Sequence, residues 1–138
     1  MPSELIVFAA QFAVSTSGKG TYEITGPVRD IVRQSGVEAG QVTVFVRHTS
    51  ASLVIMENAD PSARSDLHAF FDRLVPENLP YLVHTLEGPD DSPSHLRMAL
   101  TRSSEVIPVI LPSSAAASPA PRTGTTPGSR WRRTTPTN

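Results

Sequence analysis

Residues 48–58 hold most of the side chains with which this chain could do chemistry. The group comprises His48, Thr49, Ser50, Glu57 and Asn58. The first three follow a stretch of valines spaced two residues apart, which predicts a strand over residues 42–47, and the last two follow the apolar run 53–56. Strand ends and loops commonly carry functional side chains. We therefore expect the ends of these two segments to face one pocket.

Two kinds of chemistry suit this group. Hydroxyls such as those of Thr49 and Ser50 donate hydrogen bonds to phosphate oxygens, and a carboxylate such as Glu57 can hold Mg²⁺ or act as a general acid or base. Asn58 would orient Glu57 or the polar groups of a ligand. A structural role is the alternative for the neighbouring Asp60, which is a good N-cap for the helix expected after it.

Three of the four histidines lie beside predicted loops or element ends, namely His48, His84 and His95. Three imidazoles are enough for a zinc site that keeps one position open for water or substrate. Their spacing is not that of a helical metal-binding motif, so only the fold could bring them together, and ordinary surface or core histidines are the alternative. The acidic pair 90–91 is either an oxygen site for a hard cation or a solvated turn. His68 falls within a helical pattern and is predicted to be solvated.

Strand and helix patterns are interspersed along the chain, which indicates the α+β class. The predicted elements are strands at 5–14 and 22–25 around a turn at 17–20, a helix from Pro27 to Gly36, a strand at 42–47, the apolar run 53–56, a helix opened by Asp60 and Pro61, a short helix capped by Ser92, and a strand at 105–111. The helix after Asp60 has the strongest signals, because a cap, an early proline and an apolar stripe coincide.

Composition divides the chain at residue 111. All thirteen acidic residues lie at or before Glu105, whereas residues 112–138 carry four arginines and are rich in Pro, Ala, Ser and Thr. Low-complexity sequence of this kind cannot bury enough apolar surface to offset its ordering entropy. We therefore predict one domain over residues 1–111 and a disordered tail over residues 112–138 that contributes neither to a site nor to stability.

Composition also limits the partners. The chain has no cysteine, which excludes disulfides and thiolate metal ligands, and a cytoplasmic location is the default expectation. The apolar run 5–10 is too short to span a membrane. Four arginines and one tryptophan in the tail are a small footprint for nucleic acid. We expect a small-molecule substrate, with no nucleic-acid or membrane partner.

Residues 1–111 also carry a series of motifs in a fixed order. They are His48-Thr49-Ser50-Ala51-Ser52, Glu57-Asn58-Ala59-Asp60-Pro61, Asp66-Leu67, His84, the stretch 87–96, and Ile107-Pro108-Val109. With these motifs the chain resembles the YjbQ-like family, small bacterial and archaeal proteins often described as secondary thiamine-phosphate synthases. The resemblance implies a mixed β-sandwich with flanking helices, a homotrimer, and a common pocket lined by His48, His84 and His95.

The resemblance implies one function and leaves a second open. The first is a transferase that joins a hydroxymethylpyrimidine diphosphate to a thiazole phosphate, with a divalent metal ion, zinc or magnesium. Its catalytic residues would be Thr49, Ser50, Glu57 and Asn58. The nearest positively charged side chains that could bind the diphosphate are those of Arg47 and Arg97. The alternative is a metal- or small-ligand-binding trimer that uses the three-histidine pocket for another reaction, such as a hydrolysis.

The chain departs from the family pattern after Ile107-Pro108-Val109. A family member is expected to continue with strands that close the fold, whereas this chain continues with Pro, Ala, Ser and Thr. The abrupt change favours a frameshifted ending over a natural disordered arm or a peptide-binding extension. The sandwich is therefore expected to lack its closing strands.

Overall fold

A computed structural model describes residues 4–111, so the tail predicted to be disordered lies outside the described residues. The elements in chain order are α1 (Thr25–Gln34), β1 (Ala39–Phe45), α2 (Pro61–Leu74), α3 (Asp91–Ala99) and β2 (Ser104–Ile110). The helices and the antiparallel strand pair confirm the α+β class. Within residues 4–111, no helix is long and apolar enough to cross a membrane.

The sheet consists of β1 and β2, which pair antiparallel from Ala39 opposite Ile110 to Phe45 opposite Ser104. The pairing continues past both ends of the strands: the Val46 amide donates to the Ser103 carbonyl at 2.8 Å, and the Leu111 amide donates to the Glu38 carbonyl at 2.7 Å. Alternation places half-buried and buried side chains on one face. The other face exposes large apolar groups, namely Phe45, Val106 and Ile110.

Helix α1 and the turn before it follow local sequence signals. Gly36 has a φ of 70°, a left-handed conformation that glycine adopts without steric cost, and it ends the helix as predicted. In the predicted turn at 17–20, Gly18 has a φ of 117°, and the Tyr22 hydroxyl donates to the Gly18 carbonyl at 2.7 Å. These contacts fix the direction in which the chain enters α1.

Helix α2 begins as the sequence predicts. Asp60 is the N-cap, and its carboxylate accepts a hydrogen bond from the Ser62 amide at 2.9 Å. Pro61 occupies the first helical position, where a missing N–H costs nothing. The hydrogen bonds from Ser62 lower the pKa of Asp60 below its usual value of 3.8.

Replacing Asp60 with Ala is expected to lower the thermal midpoint by a few degrees, because one amide at the helix start loses its acceptor. The folded pKa is the lower one, so the cap contributes fully above the ordinary Asp value and loses its effect as the pH falls through the folded value. Thermal melts should therefore show a gap between wild type and Asp60→Ala at pH 7 that narrows below pH 3.8. Asp60→Asn is the control, since an amide oxygen still caps. A gap that is independent of pH would contradict this role.

Helix α3 begins earlier than predicted. The expected cap, Ser92, is the second helical residue, because the helix starts at Asp91 with Asp90 as a cap whose side chain makes no capping hydrogen bond. Instead the Ser94 hydroxyl and amide both donate to the Asp90 carbonyl, at 2.6 and 3.1 Å. Pro93 lies inside the first turn, as expected, and is fully buried. The shift moves Asp91 from a loop onto the helix.

Two predicted strands are wrong, because residues 5–14 and 22–25 form none and Thr25 already begins α1. The apolar run 53–56 contributes only an isolated bridge from Leu53 to Arg102. An alternating pattern becomes a strand only when a second backbone satisfies its donors and acceptors. Residues 4–17 have no such partner within the described chain. Residues 4–111 therefore contain one two-stranded antiparallel sheet with its helices.

Little of the described chain is fully enclosed. Val75, Pro93 and Val109 are the buried residues within positions 4–111. They lie at the end of α2, in the first turn of α3 and in β2, so the best-packed region joins these elements. The candidate site lies on α3 and the loop that leads to it.

Candidate metal centre

His84, Asp91 and His95 form a compact cluster of metal-binding groups. The Oδ2 atom of Asp91 lies 2.9 Å from Nε2 of His84 and 3.2 Å from Nε2 of His95. One ligand atom from each residue lies within 4.8 Å of the other two. The spacing of four residues on α3 places Asp91 and His95 on one helix face, and the loop before α3 supplies His84.

The proton on His95 can be placed from its contacts. Nδ1 of His95 lies 2.6 Å from the backbone carbonyl of Thr49, which can only accept a hydrogen bond. Nδ1 must therefore carry a proton, and in the neutral ring Nε2 presents a lone pair. That lone pair faces Oδ2 of Asp91, which is buried and has no hydrogen-bond partner among residues 4–111. Two acceptors at this distance repel each other unless a proton or a cation lies between them.

The short His84–Asp91 separation counts as an ion pair by distance, yet Oδ2 of Asp91 remains without a hydrogen bond. The direction of approach does not suit a hydrogen bond, and direction as well as distance determines whether a proton is shared. Both imidazoles thus approach the same carboxylate oxygen without donating to it. Such convergence is the arrangement of ligands around a common centre.

The dimensions fit a small divalent ion. Nitrogen and oxygen ligands about 2.0–2.1 Å from zinc lie about 3.3 Å apart in a tetrahedral site. The separation of 3.2 Å between Asp91 and His95 is close to that value, and the separation of 2.9 Å between Asp91 and His84 is shorter. The side chain of Asp91 is 19% exposed, whereas that of His84 is 53% exposed, so the cluster is open on one side. His84 also lines a cavity of about 510 Å³ together with Leu79 and Leu82.

His48, the third predicted histidine, lies outside this cluster. Its Nδ1 accepts a hydrogen bond from the Ser50 amide at 3.0 Å and lies 2.9 Å from the Ser50 hydroxyl. His48 lines a second cavity, of about 670 Å³, which His84 does not line. Its membership in the metal site remains a prediction. The chain connects the two places, because the residue after His48 is Thr49, whose carbonyl holds His95.

Three of the four predicted catalytic residues, namely Thr49, Ser50 and Glu57, make hydrogen bonds that involve the backbone. Thr49 orients His95 through its carbonyl, and Ser50 contacts His48. Oε1 of Glu57 accepts hydrogen bonds from the amides of Ala59 and Asp60, at 2.7 and 3.1 Å. Glu57 therefore shapes the loop before α2, which leaves its second oxygen for chemistry. Asn58, the fourth, is an exposed residue of this same loop.

Replacing Glu57 with Gln is expected to preserve the fold, because an amide oxygen can accept the same two backbone hydrogen bonds. If the free oxygen acts as an acid or a base, turnover should fall by about 10² or more. Glu57→Ala is the matched control, since it removes the loop contacts as well and should also lower the thermal midpoint. Unchanged turnover in a folded Glu57→Gln protein would assign Glu57 to the loop alone.

An ionic network holds α3 in place. Asp72 of α2 accepts hydrogen bonds from Nζ of Lys19 at 2.9 Å and from Nη2 of Arg97 at 3.2 Å. The hydrogen bond from Lys19 lowers the pKa of Asp72, and the bonds to Asp72 and then Glu77 raise the pKa of Lys19. Arg97 also donates to the Val75 carbonyl at 2.7 Å. The network ties the turn at 18–20 and α3 to the end of α2.

The sequence suggested Asp91 as an oxygen ligand for a hard cation or as part of a solvated turn, but it did not place Asp91 beside His84 and His95. The signal was its spacing of four residues from His95, which places both side chains on one face of a helix. That signal was hidden because Ser92 was expected to cap the helix, which placed Asp91 in the preceding turn. His84 and His95 were both predicted, and the fold brings them together, with ring centres 5.8 Å apart.

The fold and this cluster together define a small α+β domain with a candidate histidine and carboxylate metal centre. The family model described as UPF0047 protein YjbQ-like matches residues 10–113 of the chain. The chain therefore belongs to the YjbQ-like UPF0047 family.

Relatives in curated collections agree with this assignment. A UPF0047 protein of Synechocystis is 50% identical over 97 residues, which cover 70% of this chain and 66% of that protein. The UPF0047 protein YjbQ of Escherichia coli O157:H7 is 43% identical over 89 residues, which cover 64% of this chain and 62% of that protein. The chain thus spans slightly less than two thirds of the length of these two relatives.

Solved structures of the family share the fold. An uncharacterised YjbQ/UPF0047 family protein from Clostridium acetobutylicum matches with a TM-score of 0.63 and 34% identity, over 70% of this chain and 73% of that one. A conserved hypothetical protein from Thermus thermophilus matches with a TM-score of 0.57 and 35% identity, over 64% of this chain and 66% of that one. The identities are high enough for these likenesses to support the family as well as the fold.

Proposed function

We propose that this chain is a divalent-metal-binding protein whose ligands include His84, Asp91 and His95. The observation that carries the proposal is the unpartnered carboxylate oxygen of Asp91, which faces two imidazole nitrogens at 2.9 and 3.2 Å. A cation placed among the three would turn repulsion between lone pairs into three favourable bonds. The Thr49 carbonyl would then act as the outer partner that orients a ligating histidine.

The donor set favours zinc over magnesium. Two imidazole nitrogens and one carboxylate oxygen are a common zinc set, whereas magnesium prefers oxygen ligands throughout. When bound with one position open, such an ion polarises a substrate oxygen and lowers the pKa of water, which suits hydrolysis. The half-exposed His84 beside the cavity of about 510 Å³ leaves room for a small substrate.

The transferase implied by the family resemblance receives less support from the geometry. It requires free positive charge for a diphosphate and a phosphate. Of the two arginines suggested for this role, Arg97 is 16% exposed and bound to Asp72 and the Val75 carbonyl. Arg47 remains, and it lines the other cavity. We therefore propose the metal-dependent function as the main function. The thiamine-phosphate synthase reaction is the second candidate, and the same assay tests both.

We also propose that the chain associates as a homotrimer. The support is the large apolar surface that residues 4–111 leave uncovered by themselves. Val83 is 93% exposed, Leu86 97% and Ile110 86%, and the first two flank His84. Exposed apolar groups in such number are typical of a surface that another chain covers. Light scattering coupled to size-exclusion chromatography would measure the mass, and a monomer at micromolar concentration would contradict the trimer.

The test of the metal function begins with full-length protein purified without added metal. After treatment with a chelator, the protein is titrated with Zn²⁺ and with Mg²⁺ in an isothermal calorimeter. We expect one zinc site per chain, an affinity for Zn²⁺ higher than that for Mg²⁺, and removal of the bound zinc when chelator is added again. The same preparation is then assayed with a generic ester and with the pyrimidine diphosphate and thiazole phosphate pair. No zinc binding by folded protein would refute the proposal, and turnover of the second pair alone would select the transferase.

A further inference from the structure

The second cavity lies at the end of β1, and Thr49, whose carbonyl holds His95, is one of its lining residues. It has a volume of about 670 Å³, and its walls include Phe45, Arg47 and His48 from the β1 end and Met98 from α3. None of the metal-binding cluster lines it. We call this cavity the β1 cleft.

The charge of Arg47 in the β1 cleft has no acidic partner in the described part of the chain. Its guanidinium donates to the neutral side-chain amide of Gln11 at 3.3 Å. The lysine and arginine side chains that do form ion pairs within residues 4–111 are Lys19, Arg33, Arg97 and Arg102. No acidic residue lines the β1 cleft. An anion that enters it would meet an arginine whose charge is not already neutralised.

His48 adds a second donor. The Ser50 amide can only donate, so Nδ1 of His48 must accept, and the neutral ring carries its proton on Nε2. A metal ligand at Nε2 would need the opposite tautomer, which would point Nδ1–H at the Ser50 amide. Nε2–H of His48 is therefore available to donate a hydrogen bond to a ligand.

The remaining walls are apolar. Phe45 is 63% exposed, and it lies in the β1 cleft with Val46 and Met98. We propose that the β1 cleft binds a small organic oxyanion, a carboxylate or a phosphate ester. Its oxygens accept from Arg47 and His48, and its apolar part packs on Phe45 and Met98. The groups proposed to bind the anion are different residues from the three metal ligands.

The full-length protein is titrated separately with benzoate, phenyl phosphate, inorganic phosphate and neutral benzamide. Binding is measured from the NMR chemical shifts of the His48 ring and of the backbone amides. We expect benzoate or phenyl phosphate to bind with a millimolar dissociation constant, and the stronger of the two identifies the oxyanion. Benzamide and inorganic phosphate should bind at least several-fold more weakly, because each lacks one half of the recognition. Arg47→Gln and His48→Phe should each weaken binding roughly tenfold.

Arg29→Gln is the matched control, because Arg29 lies on α1 and lines neither cavity. It should leave anion affinity unchanged. Arg47→Gln should also keep its zinc affinity, which separates this site from the metal centre. Equal anion affinity in wild type and Arg47→Gln, or binding of benzamide as strong as that of benzoate, would overturn the proposal. A loss of zinc affinity in His48→Phe would likewise overturn it and return His48 to the metal site.

Discussion

Replacing His95 with Ala is expected to weaken zinc binding by at least about tenfold, and Asp91→Asn by a similar factor, because each removes one of three converging donors. In Asp91→Asn the amide keeps the size of the side chain and takes away only the charge. Isothermal titration of chelator-treated protein measures the effect. Circular dichroism should show both variants folded.

His68→Ala is the control for this series. His68 lies on α2, where its Nε2 contacts the Thr21 hydroxyl at 3.1 Å, and it is not part of the cluster. Zinc affinity equal in His68→Ala, His84→Ala and His95→Ala would disprove the metal centre. His48→Ala separates the two candidate ligand sets: a tenfold loss supports the three histidines predicted from sequence, and no loss supports Asp91 as the third ligand.

Replacing Arg97 with Met is expected to lower the free energy of unfolding by about 2 kcal/mol, since a charge-assisted hydrogen bond to a helix-end carbonyl is lost. The carbonyl is that of Val75, one of the three buried residues within positions 4–111. Met fills a similar length without a donor, so the Val75 carbonyl loses its partner. Urea denaturation followed by circular dichroism measures the change.

Arg29→Met provides the comparison for this prediction, because Arg29 is exposed on α1. It should shift the urea midpoint very little. An equal shift in both variants would mean that the link from α3 to α2 contributes nothing specific. Arg97→Lys tests geometry: a lysine keeps the charge but cannot bond the Val75 carbonyl and Asp72 with the same planar group, so it should recover only part of the loss.

The helices were easier to predict from sequence than the sheet. Asp60 and Pro61 determine the start of α2 through contacts within a few residues, and Gly36 ends α1 through its own backbone conformation. Such local causes are visible in the sequence. The strand expected at 5–14 depended on a partner strand elsewhere, and alternation alone cannot say whether that partner exists.

The candidate site was half predictable for the same reason. His84 and His95 could be named from their residue type, but only the fold shows that they meet. Asp91 was not grouped with the histidines because the cap of α3 was predicted at Ser92 and lies at Asp90, and helix ends are where sequence signals are least exact. The Thr49 carbonyl that orients His95 has no signal in the sequence, because every residue carries the same backbone group.

The pairing of β1 with β2 closes a long loop of the polypeptide chain, and the metal centre lies within that loop. Roughly sixty residues separate Phe45 from Ser104, and closing a loop of that size costs conformational entropy before any contact across it is gained. The ligands all lie inside the loop, so an ion that holds them reduces the freedom of the same segment. Metal and strand pairing should then stabilise each other, by equal amounts in both directions. Amide hydrogens in β1 and β2, which touch no ligand, should exchange with solvent more slowly once zinc is bound.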